Sequence, residues 1–236
     1  MTGPLGVQLY SVRDDIGPDA LPATLGRLAA AGFTHVEPYD ILSDTEGLAV
    51  ALDATGLRAI TAHSKITELD RDAVLAAATR LGIETVIVPW VRPDSISTRE
   101  GVEALAAAIN DAAAYAAGHG IRVGYHNHDF EFAQKIDGVP AYELLVELLD
   151  PAVVLELDTY WAAVGGAEVT ELIPRLGDRV RFLHVKHDDE NPFDIAEVLP
   201  LAGSLELAVV EVVVHEGDVF PLVDRNAAYF LGLVTA

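Results

Sequence analysis

Three residues of the types that bind metal ions each lie near the end of a short, β-branched run of the chain. They are Asp158, His184 and Glu211, and their runs follow one another in the sequence. If these runs are neighbouring parallel strands, their carboxyl ends meet at one face and the three side chains can converge. Two carboxylates and an imidazole suit Mn²⁺, Co²⁺, Zn²⁺, Fe²⁺ or Mg²⁺. Without a cation, two carboxylates buried together would raise the pKa of one of them. The pattern therefore predicts one divalent metal ion per chain.

Other polar and aromatic side chains also accumulate at the ends of such runs. Five of the eight histidines lie there, at positions 63, 126, 128, 184 and 187. Taken singly, these residues have structural explanations, because a strand-end His can be a hydrogen-bonded structural residue and a strand-end Tyr or Trp can pack at a rim. Together they predict a pocket. The residues that we predict to contact a substrate are Gln8, Tyr10, Glu37, His63, Trp90 and Trp161.

The β-branched runs alternate with Ala- and Leu-rich stretches of helical periodicity. The predicted strands are Leu5–Tyr10, Thr34–Glu37, Arg58–Ala62, Thr85–Pro89, Arg122–His126, Val153–Asp158, Val180–Val185 and Ala208–Val213. The predicted helices are Ala20–Ala31, Asp44–Thr55, Asp70–Leu81, Arg99–Gly118, Ala141–Leu149, Glu168–Leu176, Asp194–Leu201 and Leu222–Leu233. Eight β-then-α units of about 30 residues each predict a single parallel (β/α)₈ TIM barrel, with residues 1–236 forming one domain.

Four glycines support this count of units. Gly32, Gly56, Gly82 and Gly120 each precede a predicted strand by one to three residues. A helix that ends there favours a residue that tolerates positive φ. The main alternative fold, an open doubly wound sheet, would carry a glycine-rich phosphate turn after its first strand, and this sequence has none there.

Composition and charge narrow the classes of partner. The chain has 236 residues, of which 51% are hydrophobic, and a formal net charge of −22. A surface so negative repels nucleic-acid backbones and anionic membranes, so we expect neither as a partner. With no cysteine, the chain has no disulfide, thiolate metal site or cysteine nucleophile. The sequence shows no pattern of a signal peptide or membrane-spanning segment, and we expect a cytoplasmic protein.

Several motifs, in this order along the chain, resemble the sugar phosphate isomerase/epimerase family of the xylose-isomerase-like TIM-barrel superfamily. They are GVQLYSVRDD (6–15), YHNHDFEF (125–132), LELDTYWAAVGG (155–166), LHVKHDD (183–189) and VVE (209–211). The resemblance extends from the first predicted strand to the last helix.

The resemblance implies a divalent metal ion that is bound by residues from the last four strands. Asp158, His184 and Glu211 match three of the ligands by position. Many relatives have a glutamate at the end of the fifth strand, where this chain has His126. We therefore take His126 as the fourth ligand, with His128 or Glu131 as alternatives. Imidazole in place of carboxylate would favour Zn²⁺, Co²⁺ or Mn²⁺ over Mg²⁺.

The activity that the resemblance implies is an isomerase or epimerase that acts on a keto or aldo sugar through a metal-stabilised enediolate. Glu211 is the first candidate for the base that removes the proton, and His128 is the second. Lys186 would place an ammonium group against the developing oxyanion, although it could instead form a salt bridge with Asp158 or Glu156. Tyr10, Trp90 and Trp161 would form stacking walls around the sugar.

Two alternative functions stay open at this point. The first is a metal-dependent lyase or dehydratase that acts on a keto sugar, a 3-keto-glycoside or a cyclitol. The second is a non-catalytic sugar-binding or degenerate barrel. An endonuclease of this superfamily would need a positive face for DNA, and the net charge of −22 disfavours it. The partner expected in every case is a small carbohydrate, and relatives of this kind often form homo-oligomers.

Overall fold

Eight parallel strands alternate with helices and form a nearly closed barrel, which confirms the predicted TIM-barrel fold. The structure is a computed structural model that describes residues 4–17, 19–188, 191–213 and 217–235. The barrel strands are β1 (Leu5–Gln8), β2 (His35–Glu37), β3 (Thr61–His63), β4 (Thr85–Val88), β5 (Arg122–His126), β6 (Val154–Asp158), β7 (Val180–Val185) and β8 (Leu207–Val210).

The α-helices lie between these strands and after the last of them along the chain. They are α1 (Leu21–Ala30), α2 (Thr45–Thr55), α3 (Arg71–Leu81), α4 (Arg99–Ala117), α5 (Phe130–Ala133), α6 (Ala141–Leu148), α7 (Thr159–Val164), α8 (Val169–Leu176), α9 (Ile195–Val198) and α10 (Phe220–Thr235). The two short helices α5 and α7 were not predicted from the sequence, nor was a small hairpin formed by Lys135–Ile136 and Val139–Pro140. Among the described residues, none of the helices combines the length and the apolar content needed to span a membrane.

The strand order around the barrel is β2-β1-β8-β7-β6-β5-β4-β3, which leaves a seam between β2 and β3. At this seam the Val36 amide donates a hydrogen bond to the Arg58 carbonyl at 2.9 Å, and the His63 amide donates one to the Pro38 carbonyl at 2.8 Å. Arg58 therefore pairs with β2 as an isolated bridge, and β3 begins at residue 61, three residues later than the sequence predicts.

Local sequence explains where the helices begin and end. The side chain of Asp44 accepts a hydrogen bond from a backbone amide in the first turn of α2, and Asp70 does the same for α3. Gly56 and Gly82 end these helices with φ of 72° and 74°. The glycines at positions 32 and 120 also have positive φ, so the prediction for all four is confirmed.

Alternate residues of each strand face the barrel interior and form layers there. The lower layer is apolar and the upper layer is polar. On β6, for example, Val154 belongs to the lower layer, and Glu156 and Asp158 follow at intervals of two. The lower layer consists of Ile87, Val154, Phe182, Leu207 and Val209. The upper layer consists of the buried side chains Gln8, Glu37, His63, His126, Glu156 and His184. The polar layer lies at the carboxyl ends of the strands, where barrel enzymes carry their active sites.

Candidate functional site

Four side chains from the last four barrel strands converge at the carboxyl end of the barrel. His126 ends β5, Asp158 ends β6, His184 lies in β7, and Glu211 directly follows β8. One potential ligand atom from each of them lies within 4.8 Å of those of the other three. These are the four residues that the sequence analysis selected as metal ligands. That they bind a metal ion stays a prediction.

The donor atoms of this group fit a divalent cation. Two imidazoles and two carboxylates are ligands that Mn²⁺, Co²⁺, Fe²⁺ and Zn²⁺ accept. The Nδ1 atom of His126 is buried and lies 3.3 Å from Glu156 Oε2. The potential ligand atoms of the four residues are close enough to one another to contact a single cation.

Glu131, an alternative fourth ligand in the sequence analysis, is engaged elsewhere. Its carboxylate accepts a hydrogen bond from the Tyr125 hydroxyl at 2.8 Å and another from the His128 amide at 2.9 Å. Burial raises the pKa of Glu131 to about 7, although these two donors oppose the shift. His128, the other alternative, has its ring centroid 5.1 Å from that of His126 and is outside the group of converging ligand atoms. The geometry thus favours His126 over both alternatives.

The two carboxylates of the group differ in their affinity for protons. Burial, together with repulsion from Glu211, raises the pKa of Asp158 to about 8. Burial would also raise the pKa of Glu211, but the His184 ring, whose Nδ1 lies 3.0 Å from Glu211 Oε2, lowers it to about 2. Such a split is expected when two carboxylates share a buried site without a cation between them.

A second, deeper set of ionisable side chains lies directly below this group. His63 Nε2 lies 2.7 Å from Glu156 Oε2 and 3.1 Å from Glu37 Oε1. His184 Nε2 lies 2.8 Å from Glu37 Oε1 and 3.2 Å from Glu156 Oε2. His184 therefore belongs to both sets. It faces Glu211 with Nδ1 and the deeper carboxylates with Nε2.

In the deeper set, each histidine lies against a carboxylate of opposite charge. Burial would lower the pKa of His63, but the carboxylates of Glu37 and Glu156 outweigh this and raise it to about 10. Burial would raise the pKa of Glu156, yet His184 and His63 lower it well below its usual value. The same carboxylates and Glu211 raise the pKa of His184 despite its burial. The barrel interior thus stabilises charges that would be costly if they were unpaired.

Gln8 and Glu37 are not among the residues that line the cavity. Both side chains are 0% exposed. The Gln8 amide nitrogen donates a hydrogen bond to Glu37 Oε1 at 2.7 Å, and its oxygen accepts one from the Tyr10 amide at 3.0 Å. Direct contact with a substrate, which we predicted from the sequence, would require both side chains to move. The structure instead connects them to His184.

A cavity at this end of the barrel opens above these groups. The cavity has a volume of about 620 Å³. It extends from Glu211, His126 and His128 to the loops that follow β2 and β3. Tyr10 and Trp90, both predicted substrate contacts, line it and are 40% and 38% exposed. The other lining residues include His63, Tyr39, Leu42, Lys65 and Leu69.

Lys186 lies beside the metal-binding group, in a small recess that adjoins the cavity. Its Nζ is 3.6 Å from the centre of the Tyr160 ring and 3.0 Å from Asp188 Oδ2. Lys186 thus forms a salt bridge with Asp188, whereas the sequence had suggested Asp158 or Glu156 as its alternative partner. Trp161 lines the same recess, and its backbone amide donates a hydrogen bond to Asp158 Oδ1 at 2.7 Å.

His128 is the other candidate base, and it lines the main cavity. Burial and the neighbouring His126 ring lower its pKa to about 3, so its imidazole is neutral near pH 7. The ring is flanked by Phe130 at 5.7 Å and by Trp161 at 6.3 Å between centroids. The neutral imidazole can accept a proton, but the lowered pKa makes it a weaker base than a free histidine.

Glu156, the centre of the deeper set, was not among the site residues predicted from the sequence. It lies two residues before Asp158 on β6, so both side chains face the barrel interior. A charged residue two positions before a predicted ligand on a buried strand indicates a second ionisable side chain in the barrel interior. Tyr39 and Lys65, which line the cavity, follow β2 and β3 closely and could have been found by the same strand-end argument.

Comparison with known proteins agrees with this architecture. Residues 25–201 match the sequence model of a family described as xylose isomerase-like TIM barrel. No curated protein matches the chain by sequence.

Several solved structures have the same fold along their whole length. A sugar phosphate isomerase/epimerase from Parabacteroides distasonis is 23% identical, with a TM-score of 0.85 over 99% of this chain and 94% of that one. A D-allulose 3-epimerase from Methylomonas sp. is 17% identical, with a TM-score of 0.75 over 98% of both chains. A 3-keto-D-glucoside 4-epimerase from E. coli is 16% identical, with a TM-score of 0.73 over 99% of this chain and 100% of that one. At these identities the likeness concerns the fold.

Proposed function

The chain belongs to the xylose isomerase-like TIM-barrel family, and we propose that it is a divalent-metal-dependent isomerase or epimerase of a keto or aldo sugar. One observation carries this proposal. Ligand atoms of His126, Asp158, His184 and Glu211 converge within 4.8 Å, and Glu211 also lines a cavity of about 620 Å³. The residues that could bind a cation are therefore next to a space that admits a sugar.

These four residues would hold the metal ion. A divalent ion there supplies Lewis-acid polarisation of a carbonyl group, which makes the neighbouring C–H bond more acidic. The names of the similar structures, two epimerases and an isomerase/epimerase, agree with chemistry at such a C–H bond.

Glu211 is the first candidate for the base that removes this proton. It lines both the cavity and the recess, and its low pKa keeps it ionised at neutral pH. His128 faces the same cavity as a neutral imidazole and is the second candidate. The Lys186 ammonium group, held by Asp188, lies where it can oppose negative charge that develops on a substrate oxygen.

Tyr10 and Trp90 would bind the sugar. Both side chains are partly exposed and line the cavity, and aromatic rings offer large apolar surfaces. Leu42 and Leu69 line the same cavity.

The test is hydrogen exchange in D₂O, followed by NMR, with Mn²⁺-loaded protein and a panel of ketoses, aldoses and 3-keto-glycosides. We expect deuterium at one carbon next to a carbonyl, and an epimer or isomer as product. Elimination products would instead identify a lyase. If protein that retains its metal ion catalyses exchange in none of the sugars tested, the proposal is contradicted.

The matched variants are Glu211→Gln and Glu206→Gln. Both glutamates flank β8, but Glu206 precedes it and pairs with Arg122 at the opposite end of the barrel. We expect Glu211→Gln to abolish exchange and Glu206→Gln to retain it. Full exchange in Glu211→Gln would exclude Glu211 as the base and leave His128.

A further inference from the structure

The ring of His184 lies between two groups of carboxylates, and its Nε2 atom faces the deeper group. Its Nε2 is 2.8 Å from Glu37 Oε1 and 3.2 Å from Glu156 Oε2. Ionised carboxylates only accept hydrogen bonds, so Nε2 must be the donor. The Nδ1 atom faces Glu211 at 3.0 Å and the metal-binding group, so a cation that bound there would displace a proton from Nδ1 and leave the one on Nε2.

Glu37 is held in turn by Gln8, whose amide can adopt only one orientation here. The Gln8 oxygen accepts a hydrogen bond from the Tyr10 backbone amide at 3.0 Å, and this amide can only donate. The Gln8 nitrogen therefore faces Glu37 Oε1, at 2.7 Å. Since His63 Nε2 also lies 3.1 Å from this oxygen, Glu37 can accept from three donors at one point.

We propose that Glu37 is a positioning residue, which with Gln8 fixes the tautomer and the direction of the His184 ring so that Nδ1 points at the metal ion. This inference rests on the proposed function and deepens it, because it assigns to β1 and β2 a role in a site whose ligands come from β5 to β8. A metal-bound histidine usually donates its other ring N–H to a carboxylate or carbonyl, which orients the ring and raises its basicity.

A purely structural role explains Glu37 less well. The side chain is 0% exposed and, among the described residues, its Oε2 atom has no hydrogen-bond partner. Buried ion pairs are often replaced by apolar residues at little or no loss of stability. The contact also crosses the barrel, because β2 and β7 are three strands apart and the two residues are 147 positions apart in the sequence. A carboxylate in this place is explained by the ring that it orients.

The experiment measures metal affinity directly. Protein stripped of metal is titrated with Mn²⁺ by calorimetry, and separately loaded with Co²⁺ so that its visible spectrum reports the ligand geometry. The variant is Glu37→Gln, which keeps the shape and removes the charge. The matched control is Glu131→Gln, which alters an equally buried carboxylate that hydrogen-bonds to Tyr125 and His128.

We expect Glu37→Gln to weaken Mn²⁺ binding by about 10- to 100-fold and to change the Co²⁺ spectrum. The control variant should bind within about threefold of wild type. If Glu37→Gln binds like wild type with the same spectrum, the proposal is overturned while the proposed function stands. If wild-type protein binds neither ion, the proposed function fails first and this inference fails with it.

A second variant covers the case in which Glu37→Gln does not fold, as judged by circular dichroism. Gln8→Met removes the donor that orients Glu37 and leaves the carboxylate in place. It should weaken Mn²⁺ binding in the same direction, by less than Glu37→Gln would. Unchanged affinity in Gln8→Met would then overturn the proposal.

Discussion

Metal binding to this protein should depend steeply on pH, because the ligands carry protons that a cation must displace. Burial and repulsion from Glu211 raise the pKa of Asp158 to about 8, so most of this carboxyl is protonated at pH 7. The carboxylates around His184 raise its pKa as well, and its Nδ1 must also be free of a proton to act as a ligand. Both pKa values are raised, so binding weakens as the pH falls.

The size of the effect follows from the Asp158 value. With a pKa of about 8, the ionised fraction of Asp158 rises from about 1% at pH 6 to about half at pH 8. Its proton alone should therefore weaken Mn²⁺ binding about 50-fold between pH 8 and pH 6, or by about 2.3 kcal/mol. Any proton displaced from His184 adds to this, so about 50-fold is the smallest change expected.

Calorimetric titrations with Mn²⁺ at pH 6, 7 and 8 test this expectation. Repeating each titration in two buffers with different ionisation enthalpies counts the protons released, which should be about one or more at pH 7. The Asp158→Asn side chain cannot bind this proton, so the number of protons released when Mn²⁺ binds to that variant should be lower by about one. A wild-type Kd that changes less than about fivefold from pH 6 to pH 8 would refute the reasoning.

Three further predictions concern the scaffold and the cavity. A Cβ atom at Gly124 would lie 2.5 Å from the Cδ1 atom of Ile87 in the lower layer, so Gly124→Ala should cost about 1–3 kcal/mol and lower the Tm in calorimetric melting. Gly26 is exposed inside α1, and a Cβ there meets no described atom within 4 Å. Gly26→Ala should therefore raise the unfolding free energy by about 0.5–1 kcal/mol in chemical denaturation, and a decrease would contradict this. Trp90→Ala removes a stacking surface worth about 1 kcal/mol, so in the exchange assay the KM for the sugar should rise about fivefold with kcat little changed.

The elements that could be predicted from the sequence are those with strong local signals. The bounds predicted for β5 and β7, Arg122–His126 and Val180–Val185, agree with the structure. The bounds of β3 differ, because Arg58 pairs with β2 across the seam of the barrel. The short helices α5 and α7 were missed, since helices of four and six residues show too few turns for a periodic pattern.

The candidate metal-binding group was largely predictable for a related reason. In a parallel barrel every strand ends at the same face, so a residue type and its place at a strand end suffice to bring Asp158, His184 and Glu211 together. His126 was the first choice for the fourth ligand from the sequence, and Glu131 stayed open as an alternative. Only the structure shows that the Glu131 carboxylate already accepts hydrogen bonds from Tyr125 and from a backbone amide.

The sequence alone thus determined the strand-and-helix alternation, the barrel and the face on which ionisable residues gather, because each of these depends on short-range patterns. Tertiary structure decided which of these residues face the cavity and which face one another. Glu37 was predicted to touch a substrate, yet it contacts His184 across the barrel interior. Contacts of this kind depend on strand order, inward orientation and closure of the barrel together, and no local pattern in the sequence encodes all three.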